Sequence, residues 1–192
     1  MSRPEEPMVE VRSRADLRAW LSDNHDQAHS VWLVTWKKPS PNHLPYETLV
    51  EELLCWGWVD SQPRKVDAER SACRISPRNP TSAWSAVNKA HVARARASGA
   101  MTEAGEAAIQ TALDNGMWTF LDDVERLELP PDLAAAIDKN DVTDAWEGWP
   151  RSIRRSTLEW VKRAKTAPTR TKRIDDIIRS ATAGQRPTPF RR

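Results

Sequence analysis

The residues best placed to do chemistry lie between Cys55 and Asn88, in two blocks, CWGWVDS (Cys55–Ser61) and SPRNPTSAWSAVN (Ser76–Asn88). In the first, Trp56 and Trp58 flank a glycine just ahead of a carboxylate, Asp60, so indole faces and a negative charge fall close together. In the second, Arg78 precedes an expected helix start that contains Ser82, Trp84, Ser85 and Asn88. Free amides at a helix start attract anions, and a guanidinium adds a two-pronged donor. Trp58, Asp60, Arg78, Ser82, Trp84, Ser85 and Asn88 are therefore the candidate ligand-binding set, and the ligand chemistry is a small phosphate or carboxylate. An enzyme reading gives Asp60 the role of general base and Arg78 that of clamp on a small anionic substrate, which requires both in one cleft. The plain structural alternative pairs Asp60 with Arg78, caps the helix with Ser82 and puts the tryptophans in the core.

Other chemistries find less support. There is no Gly-x-Ser-x-Gly elbow, and neither cysteine has a histidine close by in sequence. Cys55 ends an apolar helical stretch, the setting of an inert thiol. His25 and His29 have helical i,i+4 spacing, but SDNHDQAHS reads as a helix end and turn, so no metal is expected. Six scattered glycines form no phosphate loop, and no cofactor is implied. A cluster of basic residues ends the chain: Arg154, Arg155, Lys162, Arg163 and Lys165, then Arg170, Lys172 and Arg173. Arg170, Lys172 and Arg173 make nucleic acid a conceivable partner. With no aromatic platform among these charges, pairing within the molecule or simple solvation is favoured.

These groups need elements to position them. Ser13 with Asp16 predicts a helix start, followed by Leu17, Trp20 and Leu21 on one face. Val31–Trp36 is β-branched and aromatic and predicts a strand. Leu49, Val50, Leu53 and Leu54 predict a helix over Tyr46–Trp56, closed by Gly57. Two short strands, Arg64–Val66 and Ala72–Ser76, are expected around an Asp67–Ser71 turn. Beyond Pro80 the pattern is helical: Ser82–Ser98, Thr102–Asn115, Asp132–Lys139, Val142–Glu147, Ser152–Lys165 and Arg170–Ala183. The fold class is thus α+β, a small antiparallel sheet with helices followed by a helical C-terminal module packed against it. Residues 1–10 read as a disordered lead-in, 11–121 as the α+β domain, 128–183 as the helical module and 184–192 as a disordered tail. DDVERLELPP (Asp122–Pro131) marks the boundary.

Composition narrows the classes further. The 192 residues are 39% hydrophobic and 29% charged, enough for a core and a solvated surface. No run of 18 apolar residues and no leader-like start exist, so neither membrane insertion nor secretion is expected. Two cysteines suit a reduced cytoplasm. The net charge of +2 conceals an asymmetry. Arg151–Arg192 holds 13 Lys/Arg against 3 Asp/Glu, whereas the first 150 residues hold 16 against 24. Ten of the aromatic residues are tryptophan, against one Tyr and two Phe. Trp56, Trp58 and Trp84 fall in the motif blocks, and Trp20, Trp146 and Trp160 read as core. The number of copies in the working protein is left open.

YETLVEELLCWGWVDS (Tyr46–Ser61), SPRNPTSAWSAVN (Ser76–Asn88) and GAMTEAG (Gly99–Gly105) resemble successive blocks of the YdeI/OmpD-associated family. LPPDLAAAIDKN (Leu129–Asn140) and WVKRAKTAPTRTKRI (Trp160–Ile174) are similar to its C-terminal bacteriocin-protection module. The resemblance runs over about residues 12–183, with Trp56-Gly57-Trp58 where relatives usually show Phe-Gly-Trp. It implies a bacterial protein connected with envelope stress or with resistance to bacteriocins and antimicrobial peptides, and the guanidinium beside the helix start adds the expectation that it acts by binding. It brings no agreed reaction or catalytic set, so Trp58, Asp60, Arg78, Ser82, Trp84, Ser85 and Asn88 carry over as motif positions only.

Overall fold

The structure is a computed structural model, and it describes residues 6–191. The chain divides into two compact units, Met1–Phe120 and Leu121–Arg192.

The first unit is built on a four-stranded sheet: β1 (Met8–Glu10), β2 (Val31–Trp36), β3 (Trp58–Lys65) and β4 (Arg70–Pro77), in the order β1-β2-β4-β3. β2 pairs antiparallel with β4, Leu33 opposite Cys73, and β4 pairs antiparallel with β3, Asp60 opposite Ile75. β1 runs parallel to β2, Val9 opposite Leu33. The sheet is therefore mixed where an antiparallel one was expected. Part of the expected disordered lead-in is strand, because Met8–Glu10 finds a free edge on β2; residues 1–5 lie outside the described residues.

Alternation along the strands sends Val31, Leu33 and Ile75 into one core with Val11, Leu17, Leu21, Leu49, Leu53 and Trp58. Each fully buried apolar side chain of this kind stabilises the fold by about 1.5–3 kcal/mol. Leu17 and Leu21 come from α1 (Arg14–Asn24), whose start is fixed reciprocally. Ser13 accepts from the Asp16 amide at 3.1 Å, and Asp16 accepts from the Arg12 amide at 2.9 Å. Leu49 and Leu53 come from α2 (Tyr46–Cys55). The same helix carries Glu52, wholly buried yet bonded to Arg14 and Arg18, each at 2.7 Å, and to the Trp56 indole at 3.1 Å.

α3 (Ala86–Ala97) and α4 (Glu103–Asp114) complete the unit. α4 is tied to the end of α2, because Thr102 caps α4 and also donates its hydroxyl to the Cys55 carbonyl at 2.5 Å. Gly105 lets the two helices meet: a Cβ there would lie 2.3 Å from that carbonyl oxygen. Gly57 serves the same contact, with φ +70° and an added Cβ only 3.1 Å from that of Ala108.

The second unit is helical: α5 (Asp122–Glu125), α6 (Pro131–Lys139), α7 (Thr143–Glu147), α8 (Arg151–Lys162) and α9 (Ala167–Thr182). Leu121, Val124, Leu133, Ile137, Trp146, Leu158, Val161 and Ile177 are buried in it. α5 lies inside the stretch expected to be a boundary. The expected disordered tail also has structure up to Arg191, since Thr188–Phe190 forms a 3-10 turn. Asp176 holds it, accepting from the Thr188 amide at 2.8 Å and hydroxyl at 2.6 Å, and Phe190 packs edge-on to Trp160. Among the described residues no helix is long and apolar enough to cross a membrane.

Candidate functional site

The motif residues separate into three places. Trp58 is fully buried in the sheet core, edge-on to Trp20 at 5.6 Å, with its indole N–H donating to the His25 carbonyl at 2.9 Å. It offers no face to a ligand. Asp60, on β3, accepts the Tyr46 hydroxyl at 2.6 Å. Ser82 does not cap a helix; α3 starts at Ala86, and Ser85 accepts from the Asn88 amide at 3.2 Å. The expected helix start at Ser82 is thus displaced by a Pro80–Trp84 loop, and Arg78 faces no row of free helix amides.

Arg78 follows β4, where its amide donates to the Gly57 carbonyl at 2.9 Å. Its guanidinium lies 3.8 Å over the Trp84 ring, and Nη2 donates to the Ala83 carbonyl at 2.8 Å and the Ser82 carbonyl at 3.5 Å. Nε is buried and has no partner. No ion pair joins Arg78 to Asp60. Burial alone pushes the Arg78 guanidinium down to about 10, whereas Arg70, Arg74, Arg155 and Arg170, which hold carboxylates, are all raised. A cation is therefore held in poor solvent without a counter-charge.

Arg78 and Trp84 line a cavity of about 220 Å³ with Asn79, Pro80 and the α4 residues Ala107, Ala108, Thr111 and Ala112. Asp60 and Trp58 are not among the lining residues, so base and clamp do not share this cleft. The α4 wall was missed in the sequence. Its signal is a set of small residues at 107, 108, 111 and 112, one helical face, which says nothing of what it meets until α2 and α4 are seen to touch.

Asp60 belongs to another neighbourhood. Tyr46, Cys73 and His43 line a cavity of about 380 Å³ with Trp36 and Lys38. The hydrogen bond to Asp60, then burial, raises the Tyr46 hydroxyl far above its ordinary value. Burial, then Asp60, pushes the Cys73 thiol up to about 12, and burial pushes Cys55 up to about 11. Neither thiol is an activated nucleophile at neutral pH. His25 packs on Trp56 at 5.0 Å, and among the described residues no three His, Cys, Asp or Glu side chains gather as a metal site.

Half of the named basic residues find counter-charges inside the second unit, whereas Lys165 and Lys172 are exposed and Arg154 has a buried Nε without a partner. Arg155 pairs with Glu125 and Glu159 at 2.7 Å each, and Lys162 with Asp123 at 2.6 Å. Arg163 pairs with Glu159 at 2.7 Å and Arg170 with Asp132 at 2.6 Å. Arg173 covers the Trp160 ring and donates to its carbonyl. Divided at the unit boundary, the charge asymmetry nearly vanishes. Residues 1–120 hold 14 Lys/Arg and 15 Asp/Glu, and residues 121–192 hold 15 and 12.

An α+β unit with a half-buried guanidinium that lacks a counter-charge beside a small cavity, and a helical unit laced by ion pairs, define a two-part protein. Residues 9–108 match the family described as a domain of unknown function (DUF8412), just over half of the chain, and the chain belongs to that family. Residues 126–184 match the bacteriocin-protection, YdeI or OmpD-associated family. The blocks Tyr46–Ser61, Ser76–Asn88 and Gly99–Gly105, expected to fall within the latter, lie in the stretch matched by the former. No curated protein and no solved structure matches the chain.

Proposed function

We propose that this protein, whose helical segment is of the bacteriocin-protection, YdeI/OmpD-associated type, acts by binding a small anion at Arg78. The observation behind this reading is the guanidinium itself: part-buried, stacked on Trp84, with an unpartnered Nε and no carboxylate to offset it. Burying a charge without a partner is costly, so a cavity beside it favours an occupant that brings the opposite charge. Asn79 and Thr111 join Arg78 and Trp84 in the proposed site, replacing Trp58, Asp60, Ser82, Ser85 and Asn88.

Calorimetric titration of the full chain against acetate, benzoate, phosphate and a nucleoside monophosphate tests the reading. At least one anion binds, and Arg78→Gln weakens it at least tenfold while the circular dichroism spectrum is kept. Equal binding by the variant, or no anion bound at all, sinks it. We place the protein in the cytoplasm, in keeping with two unpaired cysteines, and give it a part in stress or antimicrobial protection. Cell fractionation, and bacteriocin challenge of cells with and without the protein, check those two points. Nucleic-acid binding is not favoured, because two of the three residues it would use, Arg170 and Arg173, already have partners within the unit and only Lys172 is exposed and unpaired among the described residues.

A further inference from the structure

The walls of the Arg78 cavity say which anion fits, an inference that rests on the anion-binding reading above and sharpens it. Three polar side chains line the cavity, and two are occupied locally. The Asn79 side-chain oxygen accepts from the Thr81 amide at 2.9 Å and from the Thr81 hydroxyl at 2.8 Å. The Thr111 hydroxyl donates to the Ala107 carbonyl one turn back, at 2.9 Å. Arg78 remains as the cation, with two of its donor directions taken by the Ala83 and Ser82 carbonyls and Nε left without a partner. The rest of the lining is Pro80, Ala107, Ala108 and Ala112, which are apolar, and Trp84, apolar but for its indole N–H.

Each feature bears on ligand class. Phosphate and sulfate carry more than one charge and many acceptor oxygens, and their sites gather several donors or a row of backbone amides. Here there is one cation and no such row, since α3 begins eight residues after Arg78 with its own Ser85 cap. A single negative charge matches a single guanidinium. Alanine methyls, a proline ring and an indole suit a hydrocarbon body and leave a strongly hydrated ion poorly solvated. The volume, about 220 Å³, is below the roughly 300–1,000 Å³ of pockets for drug-sized ligands, so the body is small. We propose that the Arg78 cavity takes a small monocarboxylate with an apolar body, an aromatic or short branched aliphatic acid, its carboxylate on the guanidinium and its hydrocarbon against the α4 alanines.

The test uses the full chain with benzoate, its neutral counterpart benzamide, inorganic phosphate and sulfate as probes, read by calorimetry and by tryptophan fluorescence. Benzoate is expected to bind at least tenfold more tightly than phosphate, sulfate or benzamide. Ala107→Leu, on an exposed lining position, should fill the cavity and weaken benzoate at least tenfold without lowering the melting temperature. Phosphate or sulfate binding more tightly than benzoate would overturn the monocarboxylate assignment while leaving the anion site standing. Benzamide binding as tightly as benzoate, or benzoate binding untouched by Ala107→Leu, would also overturn it. If no anion binds, the assignment and the broader reading fail together.

Discussion

Replacing Gly105 with alanine tests how α4 is seated, and through it the wall of the Arg78 cavity. Propensity alone says the change should help, because alanine is favoured over glycine in a helix interior by about 0.5–1 kcal/mol. The geometry says the opposite. A Cβ on Gly105 would lie 2.3 Å from the Cys55 carbonyl oxygen and 2.6 Å from the Met101 sulfur. The sulfur ends a flexible side chain and can turn away, but the carbonyl is backbone. It also accepts from the Thr102 hydroxyl at 2.5 Å and the Thr102 amide at 3.3 Å. Restoring an ordinary contact requires the helices to part by roughly 1 Å, and overpacking of that kind costs about 1–3 kcal/mol. Weakening two hydrogen bonds adds about 0.5–1.5 kcal/mol each at most. After the propensity gain, the net loss is about 2 kcal/mol, or roughly 4–8 °C in melting temperature for a chain of this size. Scanning calorimetry of the full chain measures it. A Gly105→Ala protein that melts at or above the parent temperature would refute this account of the α2–α4 contact.

Glu52→Gln removes the charge shared by Arg14 and Arg18; breaking a buried ion pair costs about 3–5 kcal/mol, but both arginines are more than one-third exposed and can rehydrate, so roughly 1–3 kcal/mol is expected in urea unfolding. Acid should destabilise the second unit. The Arg170 hydrogen bond holds Asp132 below its ordinary value; at Asp123 burial pushes up but the Lys162 bond and charge with the Val124 amide together bring it down, and at Glu159 burial is likewise overcome by Arg163 and Arg155 together. With folded values below unfolded ones, this stability is full above the ordinary carboxylate values of 3.8 and 4.5 and is lost as pH falls through and below them, as melting temperatures from pH 7 to pH 3 should show. Asp176→Ala frees the Thr188–Phe190 turn, and chymotrypsin should then cut after Phe190 at least several-fold faster in timed digests. Cys55 and Cys73, both raised by burial, should resist iodoacetamide at pH 8 in the folded chain and react once it is unfolded in urea, as mass spectrometry can show.

The readability of the chain depended on how local each decision was. β2 is seen where Val31–Trp36 places it, since alternation with β-branched residues is a property of six consecutive residues. The Ser13 cap, the α2 face and the Gly57 stop are equally local, and each is found in place. β1 was hidden because Met8–Glu10 has no pattern of its own; it is a strand only by virtue of the β2 edge beside it. Ser82 and Ser85 both have capping chemistry, and the choice between them falls to tertiary contacts of the loop, such as the Trp84 amide donating to the Met117 carbonyl at 3.1 Å. The expected union of Asp60 with Arg78 failed for a similar reason. In register Asp60 sits opposite Ile75, three residues short of Arg78, and Tyr46 of α2 takes the carboxylate.

The tryptophan excess and the charge pattern meet in one physical device. Cations lie over the rings of Trp32, Trp36, Trp56, Trp84, Trp118 and Trp160, so many of these indoles serve as supports for Arg and Lys as well as core filling. In several of these pairs the cation has a further outlet. Arg18 holds Glu52, Arg70 holds Glu10 and Asp67, and Arg64 on Trp32 is exposed to solvent. Arg78 on Trp84 has neither a carboxylate nor free solvation, and it is the arginine that burial lowers. An indole face stabilises a cation by only about 0.5–2 kcal/mol, less than the several kcal/mol that taking a charge out of water typically costs. The arrangement is therefore more expensive than a neutral side chain of similar shape would be at this position. An anion entering the adjoining cavity would offset that cost, which makes Arg78 the place where the composition of this chain points to a ligand.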